Sequence, residues 1–93
     1  MKQRRNILQQ LTEGADLPGE PIPGLPLVEL VGDSRVLIEN HGGVCEYGLE
    51  RIRVVVRYGQ ICICGAGLRL ARMTNEQLVI SGRIDSISVI RRR

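Results

Sequence analysis

From Leu27 onward this chain is a series of short β-rich runs, interrupted by turn residues at nearly even spacing. That rhythm limits the fold more than any other feature of the sequence. The runs are Leu27–Val31, Arg35–Asn40, Val44–Tyr47, Arg51–Tyr58, Gln60–Cys64, Leu68–Met73, Gln77–Ser81 and Arg83–Ile90. The breaks are Gly32-Asp33, Gly42-Gly43, Gly59, Gly65-Ala66-Gly67, Thr74-Asn75-Glu76 and Gly82. Connections this short favour antiparallel neighbours. The expected fold is mainly β: a small antiparallel sandwich, barrel or short solenoid-like domain of about eight short strands, with one short N-terminal helix. Periodicity leaves those three architectures open.

Within the runs, the alternation of apolar and polar residues assigns faces. Ile52, Val54 and Val56 alternate with Arg51, Arg53, Val55 and Arg57, which turns an apolar face inward and three arginines outward. Tyr58-Gly59 is the expected two-residue turn of this hairpin, after which Ile61 and Ile63 continue the buried face. Leu68 with Leu70, and Leu78 with Ile80, repeat the pattern. In the last run the phase slips between Ile84 and Ile87, which predicts a bulge or bend near Asp85-Ser86.

The N-terminal part differs. Residues 3–13 have Ile7, Leu8 and Leu11 on one helical face, and Gly14 is a stop signal. A helix of about eleven residues is marginal alone in water, so it needs a surface to lie on: the domain, a partner or a membrane. All four prolines of the chain (Pro18, Pro21, Pro23, Pro26) follow within residues 14–26. Proline removes donors and fixes φ, so this stretch reads as an extended linker. The expected organisation is a helix over 1–14, a linker over 15–26 and an all-β domain over 27–93.

A chain of 93 residues suggests one small domain, which buries only about 60% of its extended surface and has little stability to spare. The net charge is +3, with Lys2, Arg4 and Arg5 near one end and Arg91, Arg92 and Arg93 at the other. Basic ends either seek anionic surfaces or are simply solvated. The three cysteines, Cys45, Cys62 and Cys64, have no disulfide-scaffold spacing. An i,i+2 bridge between Cys62 and Cys64 on one strand face is strained, so reduced thiols in a cytosolic compartment are expected. Residues 1–13 lack the continuous apolar core of a signal peptide, and the apolar runs fall far short of the roughly 20 residues that span a bilayer. A soluble or peripheral protein is expected.

Three constellations have chemical potential. The first is Ile38-Glu39-Asn40-His41-Gly42-Gly43, which holds the only histidine of the chain. A carboxylate beside an imidazole resembles an acid/base pair, but no serine, threonine or lysine is placed nearby as a nucleophile. The residues suit a polar turn better, with Asn40 in a left-handed conformation, His41 capping backbone groups and the glycines allowing a tight bend. The second is a zinc set of His41, Cys45, Cys62 and Cys64. His41-x3-Cys45 fits zinc spacing loosely and Cys62-x-Cys64 does not, so small thiols filling a strand core are the expected role. The third is an arginine face (Arg51, Arg53, Arg57, with Arg69 and Arg72) with the charge to bind nucleic acid. Tyr47 and Tyr58 are the only aromatics, too few for the stacking platforms of single-strand binders. Gly65-Ala66-Gly67 lacks the Lys-Ser/Thr and the helix of a phosphate loop. No catalytic, cofactor-binding or metal-binding set is expected, and the protein is read as a non-enzyme.

Leu25-Pro26, Val31-Gly32 and Ile38-Glu39-Asn40-His41-x-Gly43 together resemble the YabP/YqfC family of endospore-forming bacteria, on its YqfC side. The later pattern agrees: Ile52-x-Val54, Gly59-x-Ile61-x-Ile63-x-Gly65, Leu68-x-Leu70, Met73 and Leu78-x-Ile80-x-Gly82-x-Ile84. The basic amphipathic start before Leu17-Pro18 matches too. The chain departs from the family pattern in the Pro- and Gly-rich segment 19–24 and in its three cysteines. The resemblance implies a sporulation protein of the mother cell without enzymatic activity or cofactor. It also implies a larger membrane-anchored companion of the YqfD type and assembly at the forespore membrane, peripherally or through that companion. Self-association is a further expectation. Beside these implications, the motif residues Glu39, Asn40, His41 and Gly43 are expected to serve recognition, and Ile7, Leu8 and Leu11 to form a docking helix. The alternative is a small basic β-barrel that binds nucleic acid through the arginine face.

Overall fold

The computed structural model describes residues 24–92. The helix expected over 1–14, with Ile7, Leu8 and Leu11, and most of the linker 15–26 lie outside these residues. Six strands follow: β1 (Leu27–Val31), β2 (Arg35–Glu39), β3 (Val44–Tyr47), β4 (Arg51–Val56), β5 (Gly59–Met73) and β6 (Gln77–Arg91). They form one antiparallel sheet in the order β1-β2-β6-β5-β4-β3.

The fold is therefore mainly β, with six strands rather than eight. Gln60–Cys64 and Leu68–Met73 are two halves of β5, and Gln77–Ser81 and Arg83–Ile90 are two halves of β6. The glycines that read as turns, Gly65-Ala66-Gly67 and Gly82, are bends inside continuous strands. A straight strand of 15 residues would run about 50 Å at the usual rise. The longest extent of the molecule is 41 Å, so the β5–β6 hairpin is folded over on itself.

The ladder shows how. Cys64 pairs with Ser86 but Gly65 pairs with Ile84, so Asp85 is an extra residue on β6. Ala66 pairs with Arg83 and Arg69 with Ser81, which leaves an extra residue on β5. Each bulge shifts the side-chain phase by one and sharpens the local twist. The inward set thus passes from Ile61 and Ile63 to Leu68 on β5, and from Leu78, Ile80 and Ile84 to Ile87 on β6. The slip expected near Asp85-Ser86 is present; its counterpart on β5 was hidden within a presumed turn.

Bending brings the two halves of the sheet face to face. Val36 and Ile38 of β2, Leu78 and Ile80 of β6 and Leu68 of β5 come from one half. Ile52, Val54 and Val56 of β4, with Ile61 and Ile63 of β5, come from the other. All belong to one buried cluster. Burying each such side chain contributes about 1.5–3 kcal/mol.

The β4–β5 hairpin turns one residue earlier than expected. Val56 pairs with Gly59, so the connection is Arg57-Tyr58. Val56 is a core residue and stays in the ladder, while the Tyr58 ring packs against the core beneath the Arg91 guanidinium, 5.1 Å from the ring centroid.

The crossing at the bend is tight enough to exclude side chains. A Cβ on Gly65 would lie 1.8 Å from the Arg83 carbonyl oxygen, and one on Gly82 would lie 2.6 Å from the Gly67 carbonyl oxygen. Both obstacles are backbone, which cannot swing aside as a flexible side chain does. Gly65→Ala is expected to destabilise the fold by at least about 3 kcal/mol or to prevent folding. Gly32→Ala in the open β1–β2 turn, where nothing lies within 4 Å and only the φ of +58° is unfavourable, should cost about 1 kcal/mol. Urea titration of both variants tests the contrast; equal losses would contradict it.

Candidate functional site

β2 ends at Glu39, and the motif that follows carries the chain from one half of the sheet to the other. Asn40 has a φ of 62°, the only positive value among the described non-glycine residues. Asparagine tolerates this conformation better than most residues. The reversal aims its backbone N–H at the Glu76 carbonyl, 2.8 Å away, and its side-chain Nδ2 donates to the Leu25 carbonyl at 2.9 Å. Two residues on, Gly42 N–H donates to the Val55 carbonyl at 2.6 Å, and Val55 N–H donates back to the Gly43 carbonyl at 2.8 Å.

His41 lies between these contacts. The Gly43 N–H donates to its Nδ1 at 3.0 Å, so that nitrogen must be an unprotonated acceptor. The opposite nitrogen, Nε2, then carries the proton and donates to the Thr74 carbonyl at 2.9 Å. Both ring nitrogens are thus committed to backbone groups, one in its own loop and one in the β5–β6 turn. Thr74 closes that turn by accepting at Oγ1 from Gln77 N–H (3.0 Å) and Glu76 N–H (3.3 Å). Glu39 is directed to Gln77, whose Nε2 lies 3.5 Å from Oε2. Among the described residues no hydrogen bond or ion pair joins Glu39 to His41.

The motif is therefore a staple. It ties the N-terminal segment (Leu25), the β5–β6 turn (Thr74, Glu76) and β4 (Val55) to the end of β2. Beside it Glu39, Asn40, Glu76 and Gln77 line a concavity of about 330 Å³. These groups can recognise a polar partner by hydrogen bonding. They include no nucleophile activated by a base.

The other candidate sets are dispersed or neutralised. His41, Cys45, Cys62 and Cys64 do not converge: no group of three or more His, Cys, Asp or Glu side chains suited to a metal occurs among the described residues. Cys62 and Cys64 share the outer face of β5 with Sγ atoms 3.8 Å apart, and burial, then the hydrogen bond to Cys64, push the Cys62 thiol up. On the arginine face, Glu46 of β3 accepts from Arg53 Nε at 2.6 Å and from Arg51 Nε at 3.1 Å. Arg53, and then Arg51, hold the Glu46 carboxyl below its ordinary range. Two of the five arginines counted as a nucleic-acid surface are thus already paired. Sequence reading missed this, although the signal was a lone acid in the run that precedes them.

Together these features define a class: a small domain made of one folded antiparallel sheet, whose most polar motif is structural. The family model for the YabP family matches residues 26–93. The chain belongs to the YabP family. It is 28% identical over 91 residues to the "Uncharacterized protein YqfC" of Bacillus subtilis (strain 168), a match that covers 97% of this chain and 98% of that protein. No solved structure is significantly similar to the chain.

His41→Ala removes the partners of Gly43 N–H and the Thr74 carbonyl. It should lower stability by roughly 1–3 kcal/mol, a drop of several degrees in Tm. Asn40→Gly, which keeps the positive φ, should cost less than Asn40→Val. Thermal melts of the three variants rank them, and an unchanged Tm for His41→Ala would contradict the staple. Glu46 supplies a pH test. Because its folded pKa is lowered, its contribution is present above the unfolded carboxylate pKa and is lost as pH falls through the lower folded value. Glu46→Gln should therefore flatten the acid side of the stability–pH profile and leave the alkaline side unchanged.

Proposed function

We propose that this protein is a non-enzymatic, sporulation-associated assembly protein of the mother cell. In this reading it is held peripherally at the forespore membrane by a membrane-anchored companion of the YqfD type. Family membership supports the link to sporulation. One structural observation supports assembly rather than catalysis. Both ring nitrogens of His41 and the Asn40 Nδ2 are engaged by backbone partners of their own chain, while the exposed large hydrophobics lie at the margins of the sheet. Leu27, Leu30 and Val31 are on β1, Tyr47 on β3, Leu49 in the β3–β4 turn, Met73 at the end of β5, and Val89 and Ile90 on β6. Apolar side chains beside unpaired strand edges are what a docking surface of the strand-addition type requires.

Residues 3–13 are the second docking element in this proposal, with Ile7, Leu8 and Leu11 as its apolar face. Membranes from cells that express the companion should retain the full chain, and membranes without it should not. Deleting residues 1–13 should reduce that retention at least about tenfold, the equivalent of roughly 1.4 kcal/mol. A full chain that stays in the soluble fraction when the companion is present would refute the docking reading. A truncated chain that binds fully would remove the helix from it.

A further inference from the structure

The folded hairpin leaves more of the sheet unpaired than its six strands suggest. β2 pairs with β6 only as far as Ser81. The β1–β2 turn covers the next two positions, where the Gly82 and Ile84 N–H groups donate to the Ser34 and Asp33 carbonyls. From Ser86 to Arg91, β6 has β5 on one side and no partner on the other among the described residues. The Arg92 N–H donates to the Tyr58 carbonyl at 2.8 Å. The alternation of an antiparallel ladder then leaves the N–H and C=O of Ile87, Val89 and Arg91 pointing away from β5. The second open edge is the outer side of β1, five residues long.

These two edges complement each other. In length, β1 has five residues and the free part of β6 has six (Ser86–Arg91). In surface, they carry five of the eight exposed large hydrophobics of the described residues: Leu27, Leu30 and Val31 on one, Val89 and Ile90 on the other. In charge, β1 and the turn after it hold Glu29 and Asp33 with no base from Leu27 to Ser34. The β6 edge ends in Arg91 and Arg92 with no acid after Asp85. The other open margins suit a second copy less well. Glu46 on β3 is already paired with Arg51 and Arg53. The outer half of β5 has Met73 as its only exposed large hydrophobic and carries Arg69 and Arg72, which would meet the β6 arginines as like charges.

We propose that β1 of one molecule adds to the free half of β6 of a second copy of this chain, continuing the sheet from molecule to molecule. The inference deepens the assembly reading and rests on it. Because the two edges differ, the junction is heterologous and propagates into a ring or a filament rather than stopping at a two-fold dimer. The sheet gains main-chain hydrogen bonds at the junction, the apolar residues beside both edges are covered, and the acidic β1 edge comes to lie beside the basic end of β6, with Glu29 on the face of Arg92.

Two charge variants of the full chain test this by sedimentation velocity and native mass measurement. Glu29→Arg alone sets two arginines against each other at the junction, because Glu29 and Arg92 share one face of the joined ladder, and Arg92→Glu alone sets two glutamates against each other. Each should weaken association roughly tenfold. An equimolar mixture allows junctions between the unchanged edges of the two variants, where Glu29 again meets Arg92, and junctions where both charges are reversed. It should recover the wild-type species, which is larger than a dimer. Val89→Pro is the second probe. It deletes an N–H that faces away from β5, so it should abolish assembly while circular dichroism and the melt stay close to wild type. A wild type that remains monomeric up to its solubility limit would overturn the proposal. So would closed dimers only, or a mixture no better than its components. Retention on membranes with the companion is measured in parallel: monomeric variants that are retained uphold the assembly reading while the mass decides the strand junction.

Discussion

The close crossing of β5 and β6 at Gly65 and Gly82 is the constraint on which the rest of the molecule depends. With backbone against backbone at that point, each 15-residue strand changes direction and contributes to both faces of one core. Without the bend, the inward residues of the two halves would lie on an open sheet too small to bury them. A side chain at either glycine would push the halves apart. The extra residues on the two strands then return the inward phase to the core beyond the crossing.

A sheet folded in this way has two layers joined along one crease and open opposite it. The Glu39–Gly43 segment closes part of that opening. It leaves β2 in one layer, bonds to the β5–β6 turn and enters the other layer through the reciprocal pair with Val55. This position explains the composition of the motif. A left-handed residue reverses the chain, a side chain with a donor and an acceptor bridges two backbone groups, and glycines let the chain pass against Val55. The same geometry that makes the motif recognisable commits the His41 ring nitrogens and the Asn40 Nδ2 to backbone partners. The sheet margins add interaction capacity, because β6 runs well past the end of β2 and leaves backbone unpaired there.

Much of this was legible in the sequence, because alternation reports burial directly. The inward residues of β4, β5 and β6 were readable as apolar positions two apart, and the slip between Ile84 and Ile87 located the bulge on β6. The turn role of Asn40 was readable because few residues accept positive φ. The number of strands was not legible. Glycine marks both a turn and a close backbone approach, and local sequence does not say which. At Gly65 and Gly82 it is the approach. The neutralisation of Arg51 and Arg53 by Glu46 had a lone acid as its only signal in the sequence, since it depends on β3 lying beside β4 and on the irregularity between Val44 and Glu46. The partners of His41, 33 residues away at Thr74 and two away at Gly43, required the fold itself.

The Asn40–Gly43 loop is, on this account, part of the cooperative structure and not a separate reactive or mobile site. Residue-resolved amide hydrogen exchange tests that most directly. The N–H groups of Asn40, Gly42, Gly43 and Val55 should exchange with the same protection as those of Ile61 and Leu78 in the core, because opening any of them requires separating the two layers. Fast exchange of Asn40, Gly42 and Gly43 while Ile61 and Leu78 remain protected would contradict the account.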